Sequence, residues 1–421
     1  MEPTSSETKR RLDSRFAKIW AASTTSALGS GLTQIAVPLL IASRTRNPLT
    51  VSFAFVVTEL PWLLFALPGG VLADRVDRRR LMIMLDLART VAVGVLAAVI
   101  ATGHVSIILL YAVLFLINTC EVTFRGAAAA LLQAVVPRDQ LERGNSWLTG
   151  GLTVMQEMVA GPLGAFLFVV AASLPFFVNA GTYLASAICI ALLAGRYRVM
   201  PEDGAEPHSF RRDIAESLGW LLRHRLLRTM IILIGLLNMT LTAALAVFVL
   251  LVKERLHLGS LGYGTLFACM AIGGVLGSIV GERLIRKVTA TWTIRVGLLI
   301  EAGTHLTLAT ATTGWIVGVV LFAFGIHGCL WNIVAESLIQ RLTPPEMMSR
   351  VATASLFLSS GGNCLGALLG GIIASSFGLT APYWIGFAVA VAVSVVTWRV
   401  FSPAVVSAAY ATEPDPEPAN D

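Results

Sequence analysis

Twelve runs of mostly apolar residues follow one another along this chain. They lie near 18–42, 49–72, 81–102, 105–128, 146–171, 174–194, 229–252, 262–281, 290–310, 314–337, 352–376 and 381–401. About 20 helical residues cross the hydrocarbon of a bilayer, so each run is long enough to span one. Inside hydrocarbon no water satisfies a backbone N–H or C=O. A helix satisfies them internally, which is why the runs read as helices. Joints as short as "ATG" and "SLP" turn consecutive helices antiparallel. Composition agrees: 13% of the residues are charged, against roughly 25% in soluble chains. The expected fold class is an all-α membrane protein with twelve transmembrane helices.

Basic residues set the orientation. With the N-terminus inside, 24 of the 31 Lys and Arg fall on the cytoplasmic side, and only Arg44, Arg46, Lys253 and Arg255 fall outside. Cytoplasmic loops carry such an excess, so both termini are expected in the cytoplasm. The +6 net charge therefore reports membrane topology and gives no reason to expect a nucleic-acid partner. The five cysteines lie inside apolar runs without the spacing of a metal site or a disulfide framework. No metal or cofactor is expected. The first 16 residues are polar and basic, so the first apolar run reads as a retained helix and not a signal peptide.

The chain repeats itself. Asp74-Arg75-x-x-Arg78-Arg79 follows the second run, and Glu282-Arg283-x-x-Arg286-Lys287 follows the eighth, 208 residues on. Gln133, Pro137 and Arg143 match Gln340, Pro344 and Arg350 at an offset of 207. Two patterns agreeing to one residue imply a duplicated six-helix unit, with a substrate site at the midplane between the halves. The expected divisions are a cytoplasmic segment 1–17, a bundle 18–194, a loop 195–228, a bundle 229–402 and a disordered tail 403–421. Within the loop, Ile214, Leu218, Leu221 and Leu222 recur at helical spacing among arginines, which predicts a helix lying on the membrane surface.

Gly70, Asp74, Arg75, Arg78 and Arg79 form G-x-x-x-D-R-x-x-R-R, which resembles the loop signature of the major facilitator superfamily. Asp86-x-x-Arg89 and "SFRRDIAESLGWLLRHRLLR" are similar to a bacterial branch of enterobactin-exporter-like and macrolide-efflux-like proteins. That branch often reads LGDG in its first helix. Here the stretch is LGSG, with Ser30 at the acidic position, so no proton role carries over to it. Gly161-Pro162-x-Gly164 matches part of a drug-antiporter signature. The resemblance implies a cytoplasmic gate built from Gly70, Asp74, Arg75, Arg78 and Arg79, with Glu282, Arg283 and Arg286 mirroring it and Asp86 and Arg89 bracing it. It also implies a cavity lined by helices 1, 4, 7 and 10.

Ionisable groups at membrane depth are costly and so are functional candidates. Glu59 and Glu157 lie near mid-span and are the proton-coupling candidates, since burial away from water favours a carboxyl's protonated form. Asn118, Glu121 and Arg125 share one face of the fourth run; Asn332 and Glu336 share one face of the tenth. With Ser30, Gln34 and Asn238 they are the substrate-cavity candidates. Glu121 and Arg125, four apart, also suit a simple ion pair. Glu301 and His305 read as a structural pair.

No G-x-x-x-x-G-K-S/T occurs, so no ATP-hydrolysing loop is visible and energy must come from a gradient. The expectation is a monomeric, non-enzymatic secondary transporter in a bacterial cytoplasmic membrane, working with lipid, protons and a small-molecule substrate. Export of an amphiphilic drug, antibiotic or siderophore-like compound stands first. Alternatives are a proton-coupled nutrient importer and, from another class, a membrane scaffold or receptor without transport. Topology is directly testable: alkaline phosphatase fused after Asp421 should be inactive and a fluorescent protein there bright, whereas an active phosphatase would invert the orientation.

Overall fold

A computed structural model describes residues 13–195, 197, 225–344, 347–398 and 400–402, with backbone alone for 66–75. Twelve helical spans follow in order: α1 Ser14–Arg44, α2 Pro48–Arg75, α3 Arg78–Ala101, α4 Ile107–Val135, α5 Leu141–Val170, α6 Leu174–Ala191, α7 Leu226–Glu254, α8 Ser260–Val288, α9 Ala290–Thr310, α10 Gly314–Leu342, α11 Met348–Phe377 and α12 Ala381–Thr397. Two are interrupted. A π-turn at Val154–Val159 breaks α5, and Val247 breaks α7. Ten of the twelve are long and apolar enough to cross a membrane. α9 carries Arg295, Glu301 and His305, which dilute its apolar run, and α12 is a shorter apolar helix of 17 residues. The fold is all-α, as expected, and most helices run several residues past their apolar cores.

Membrane surroundings show in how α3 is oriented. Met84, Leu87, Val91 and Val95 are exposed, while Asp86 and Arg89 lie on the buried face with Val93 and Leu96. A helix in water would turn the other way. Helix ends are closed by side chains. Asp77 caps α3 by accepting from the Arg80 amide at 3.0 Å, and Ser106 caps α4 by accepting from the Leu109 amide at 3.1 Å. Cations close the opposite ends. Arg79 donates to the Ile190 and Ala191 carbonyls of α6, Lys18 to Leu192, Arg255 to Thr310 and Ala311 beyond α9, and Arg295 to Trp398 beyond α12. The last carbonyls of a helix lack their usual amide partners, and a positive charge there also meets the negative end of the helix dipole.

Contacts gather the chain into two units. One comprises 1–34, 64–160 and 171–201; the other comprises 35–63, 161–170 and 202–421. The repeat divides the sequence in the 195–228 loop. Contact density divides it instead through α1, α2 and α5, because 35–63 and 161–170 lie against helices of the second half. Pro38, Pro61 and Pro162 each stand within four residues of such a crossing. The first unit buries Ile19, Met82, Phe124, Leu131 and Ile190, drawn from α1, α3, α4 and α6. The second buries Met230, Ile294, Val334 and Leu338 of α7, α9 and α10, and joins Val56 of α2 to Ala246 and Ala367. The expected surface helix and the 403–421 tail lie outside the described residues.

Two glycine stripes on α8 and α11 suit either rocking between halves or plain packing. Their placement is packing within the second unit. Gly273 and Gly277 lie against the backbone of α10 at Phe322 and Ile326, while Gly362, Gly366 and Gly370 lie against Gly235, Met239 and Ala243 of α7. A Cβ at Gly366 would collide with the Met239 carbonyl. Gly366→Ala should therefore cost about 1–3 kcal/mol from overpacking, read as a lower thermal midpoint of the purified protein. Gly303→Ala, which meets no atom within 4 Å, should cost nothing.

Candidate functional site

In the first unit, four charges make one buried network. Arg89 of α3 is fully buried and binds both Asp86, one turn away, and Glu121 of α4. Arg125 closes on the other oxygen of Glu121 at 2.7 Å and reaches Gln156 Oε1 of α5, also at 2.7 Å. The Arg89 guanidinium sits 4.3 Å from the ring centre of Tyr183 and 4.6 Å from that of Phe124. Ser30 of α1 lies 3.1 Å from the Tyr183 hydroxyl and 3.4 Å from Glu121. Two acids meet two arginines in these ion pairs, and Glu157 also lies within electrostatic reach of Arg125. Buried charges are tolerable only when paired in this way.

The local sequence explains the arrangement. Spacings of three and four put Asp86 with Arg89, and Glu121 with Arg125, on single helix faces. The π-turn in α5 turns Gln156 toward Arg125, and Gly31 lets α1 approach the backbone of Gln156 itself. A π-turn offsets the helical register by one residue and often marks a functional position. Arg125, with its side chain 37% exposed, is the charged member of the network that reaches the surface. Glu157, next along the π-turn, is exposed.

The second unit holds a different polar assembly. Asn238 of α7 donates to Ser359 of α11 at 2.7 Å; one turn on, Thr242 donates to Asn363 Oδ1 at 3.0 Å. The Asn363 amide then donates to Glu59 Oε2 of α2 at 3.3 Å. Glu59 is half-buried, eleven residues into α2, or roughly 16 Å along it. Among the described residues it has no cationic partner. Deeper in the same unit, Glu301 lies 3.5 Å from His305 and 3.8 Å from His327, all three buried. Gly297 and Gly386 leave room for the two imidazole rings. No cluster able to hold a metal ion is found among the described residues.

The remaining candidates are placed as follows. Asn118 bonds its own helix at Leu114, while Gln34, Asn332 and Glu336 are exposed. Arg78 donates to the Ala130 carbonyl and Arg79 to the end of α6. Asp86 and Arg89 turn toward Glu121 rather than toward the loop. Glu282 and Arg286 are exposed and face each other at 3.6 Å, and Arg283 is exposed. The side chains of Gly70, Asp74 and Arg75 lie outside the described residues. Tyr183, His327, Ser359 and Asn363 join these assemblies without having been singled out in the sequence. A signal existed for two of them: 238/242 and 359/363 repeat one spacing on two helices.

Twelve helical spans with charges held on buried faces describe a polytopic membrane protein. A profile of the Major Facilitator Superfamily matches residues 19–367 and 231–420, and the chain belongs to that superfamily. It is 25% identical over 394 residues to macrolide efflux protein A of Streptococcus pyogenes, covering 87% of this chain and 90% of that one. It is 25% identical over 373 residues to the enterobactin exporter EntS of Citrobacter koseri, covering 85% of each. Its fold matches a bacterial homologue of the iron transporter ferroportin in an inward-facing state. The TM-score is 0.71 at 15% identity, over 93% of this chain and all of that one.

The buried network generates a stability test. Arg89→Met leaves Asp86 and Glu121 facing each other without their shared cation. The loss should be about 3–5 kcal/mol, seen as a large drop in thermal midpoint and in folded yield. Wild-type stability in that variant would mean the carboxylates are compensated elsewhere.

Proposed function

We propose that this transporter exports an amphiphilic small molecule from a bacterial cytoplasm in exchange for protons, with Glu59 carrying the proton. In this reading it works as a monomer with both termini inside, by alternating access. Arg125 and Gln156, which meet at 2.7 Å in the first unit, are the groups we assign to substrate.

One observation carries the reading: the contrast between the acids of the two assemblies. Asp86 and Glu121 are each held by a guanidinium that is always charged. Taking up a proton there would break an ion pair and strand a buried cation. Glu59 is met by an amide instead. It can gain or lose a proton without leaving a counter-ion behind, as a coupling site requires. The direction of transport rests on the relatives, two of which are named as exporters. In this scheme Arg78, Arg79, Glu282 and Arg286 belong to the cytoplasmic gate, and Glu157 is the second acid on the path.

Proteoliposomes with an imposed pH gradient test the proposal, using a radiolabelled macrolide and a fluorescent amphiphilic dye as probes. Glu59→Gln should abolish uphill transport while leaving downhill exchange measurable. Undiminished uphill transport in that variant would remove Glu59 from the role. Proton-driven movement of probe in the importing direction would overturn export.

A further inference from the structure

Among the described residues the Glu59 carboxyl touches one polar side chain, and that side chain is itself held. Asn363 presents its Nδ2 to Glu59 Oε2 at 3.3 Å and its Oδ1 to the Thr242 hydroxyl at 3.0 Å. The three residues stand on α2, α11 and α7. The backbone around them is closely packed. Gly362, beside Asn363, lies against the backbone of Gly235, and Gly366, one turn on, lies against that of Met239. Val56, less than one turn from Glu59, packs with Ala246 and Ala367. The backbone that carries the amide is therefore closely packed, and the amide presents two chemically different ends.

We propose that Asn363 is a positioning residue for the proton on Glu59, with Thr242 as its anchor. The proposal rests on the reading of Glu59 as the proton site. An amide carries a donor at one end and an acceptor at the other, and a hydroxyl can serve as either. When Glu59 is a carboxylate, Nδ2 donates to it and Oδ1 accepts from Thr242. When a proton arrives on Oε2, the new O–H becomes the donor. A half-turn of the amide then brings Oδ1 to Glu59 and Nδ2 to the hydroxyl oxygen of Thr242, whose own hydrogen swings away. Each state keeps both hydrogen bonds, and no covalent bond other than that to the transferred proton changes.

The residue types are the ones this requires. An arginine or lysine at 363 would lock Glu59 in its charged form, as Arg89 and Arg125 do for Glu121. An apolar residue would leave a half-buried carboxylate with no donor, a costly state. An aspartate would set two acids against each other. Among the described residues, another titratable side chain near Glu59 is Cys364, next to Asn363 on α11. From α7 the uncharged Thr242 reaches Asn363.

Infrared spectroscopy of the purified protein tests this without knowledge of the substrate. A protonated carboxyl has a carbonyl stretch well separated from the amide bands. The band that titrates in wild type and is missing in Glu59→Gln belongs to Glu59. In Asn363→Leu the pH of half-loss of that band should shift by about one pH unit or more, and its frequency should rise as the hydrogen bond is lost. Thr242→Val, which keeps shape and removes the anchor, should shift the same band by less. It also provides the test if Asn363→Leu fails to fold. If Glu59→Gln removes no titrating band, Glu59 is not a proton site and the reading it rests on falls. If the band titrates but neither its midpoint nor its frequency changes in either variant, Glu59 stands as the proton site and the role of Asn363 is overturned.

Discussion

Hydrocarbon offers a charge two ways to persist: a partner of opposite sign, or a proton that cancels it. The first is laid out in full in this protein. Arg89 and Arg125 neutralise Asp86 and Glu121 and tie α3 to α4, and Gln156 extends the tie to α5. Among the described residues Glu59 has no such partner and is met by the Asn363 amide, which Thr242 holds. What stands opposite each carboxylate differs between the two units.

The crowded charges between α2 and α3 have a structural explanation beyond topology. Asp77 caps α3, while Arg78 and Arg79 close on carbonyls of α4 and α6. Arg79 thus also serves as a cap for the end of α6. After α8, Glu282 and Arg286 pair with each other at the surface.

The helices were legible in the sequence because apolar length alone implies them. Charge bias and the offsets near 207 added expectations of orientation and duplication. The acids at mid-span were legible for the same reason: each stands alone in an apolar run. Their partners were not. Whether Glu121 pairs with Arg125 alone or also with Arg89 depends on how α3 is rotated against α4, which no single-helix pattern records. Asn363 was overlooked because one amide between two glycine-rich turns resembles packing material. The π-turn in α5 has no visible signature either, since its sequence is ordinary; Gly31 of α1 lies against it.

Each of the three helices shared by both units carries a proline close to its crossing. Proline has no amide hydrogen, so one carbonyl a turn earlier goes without its usual partner and the rod is weakened at that point. Flexure concentrated at Pro38, Pro61 and Pro162 would leave the glycine-lined seams between α7 and α11 and between α8 and α10 intact. Those seams are too closely fitted to slide. A machine assembled this way has its elasticity inside individual helices, and its tightly meshed surfaces serve as struts.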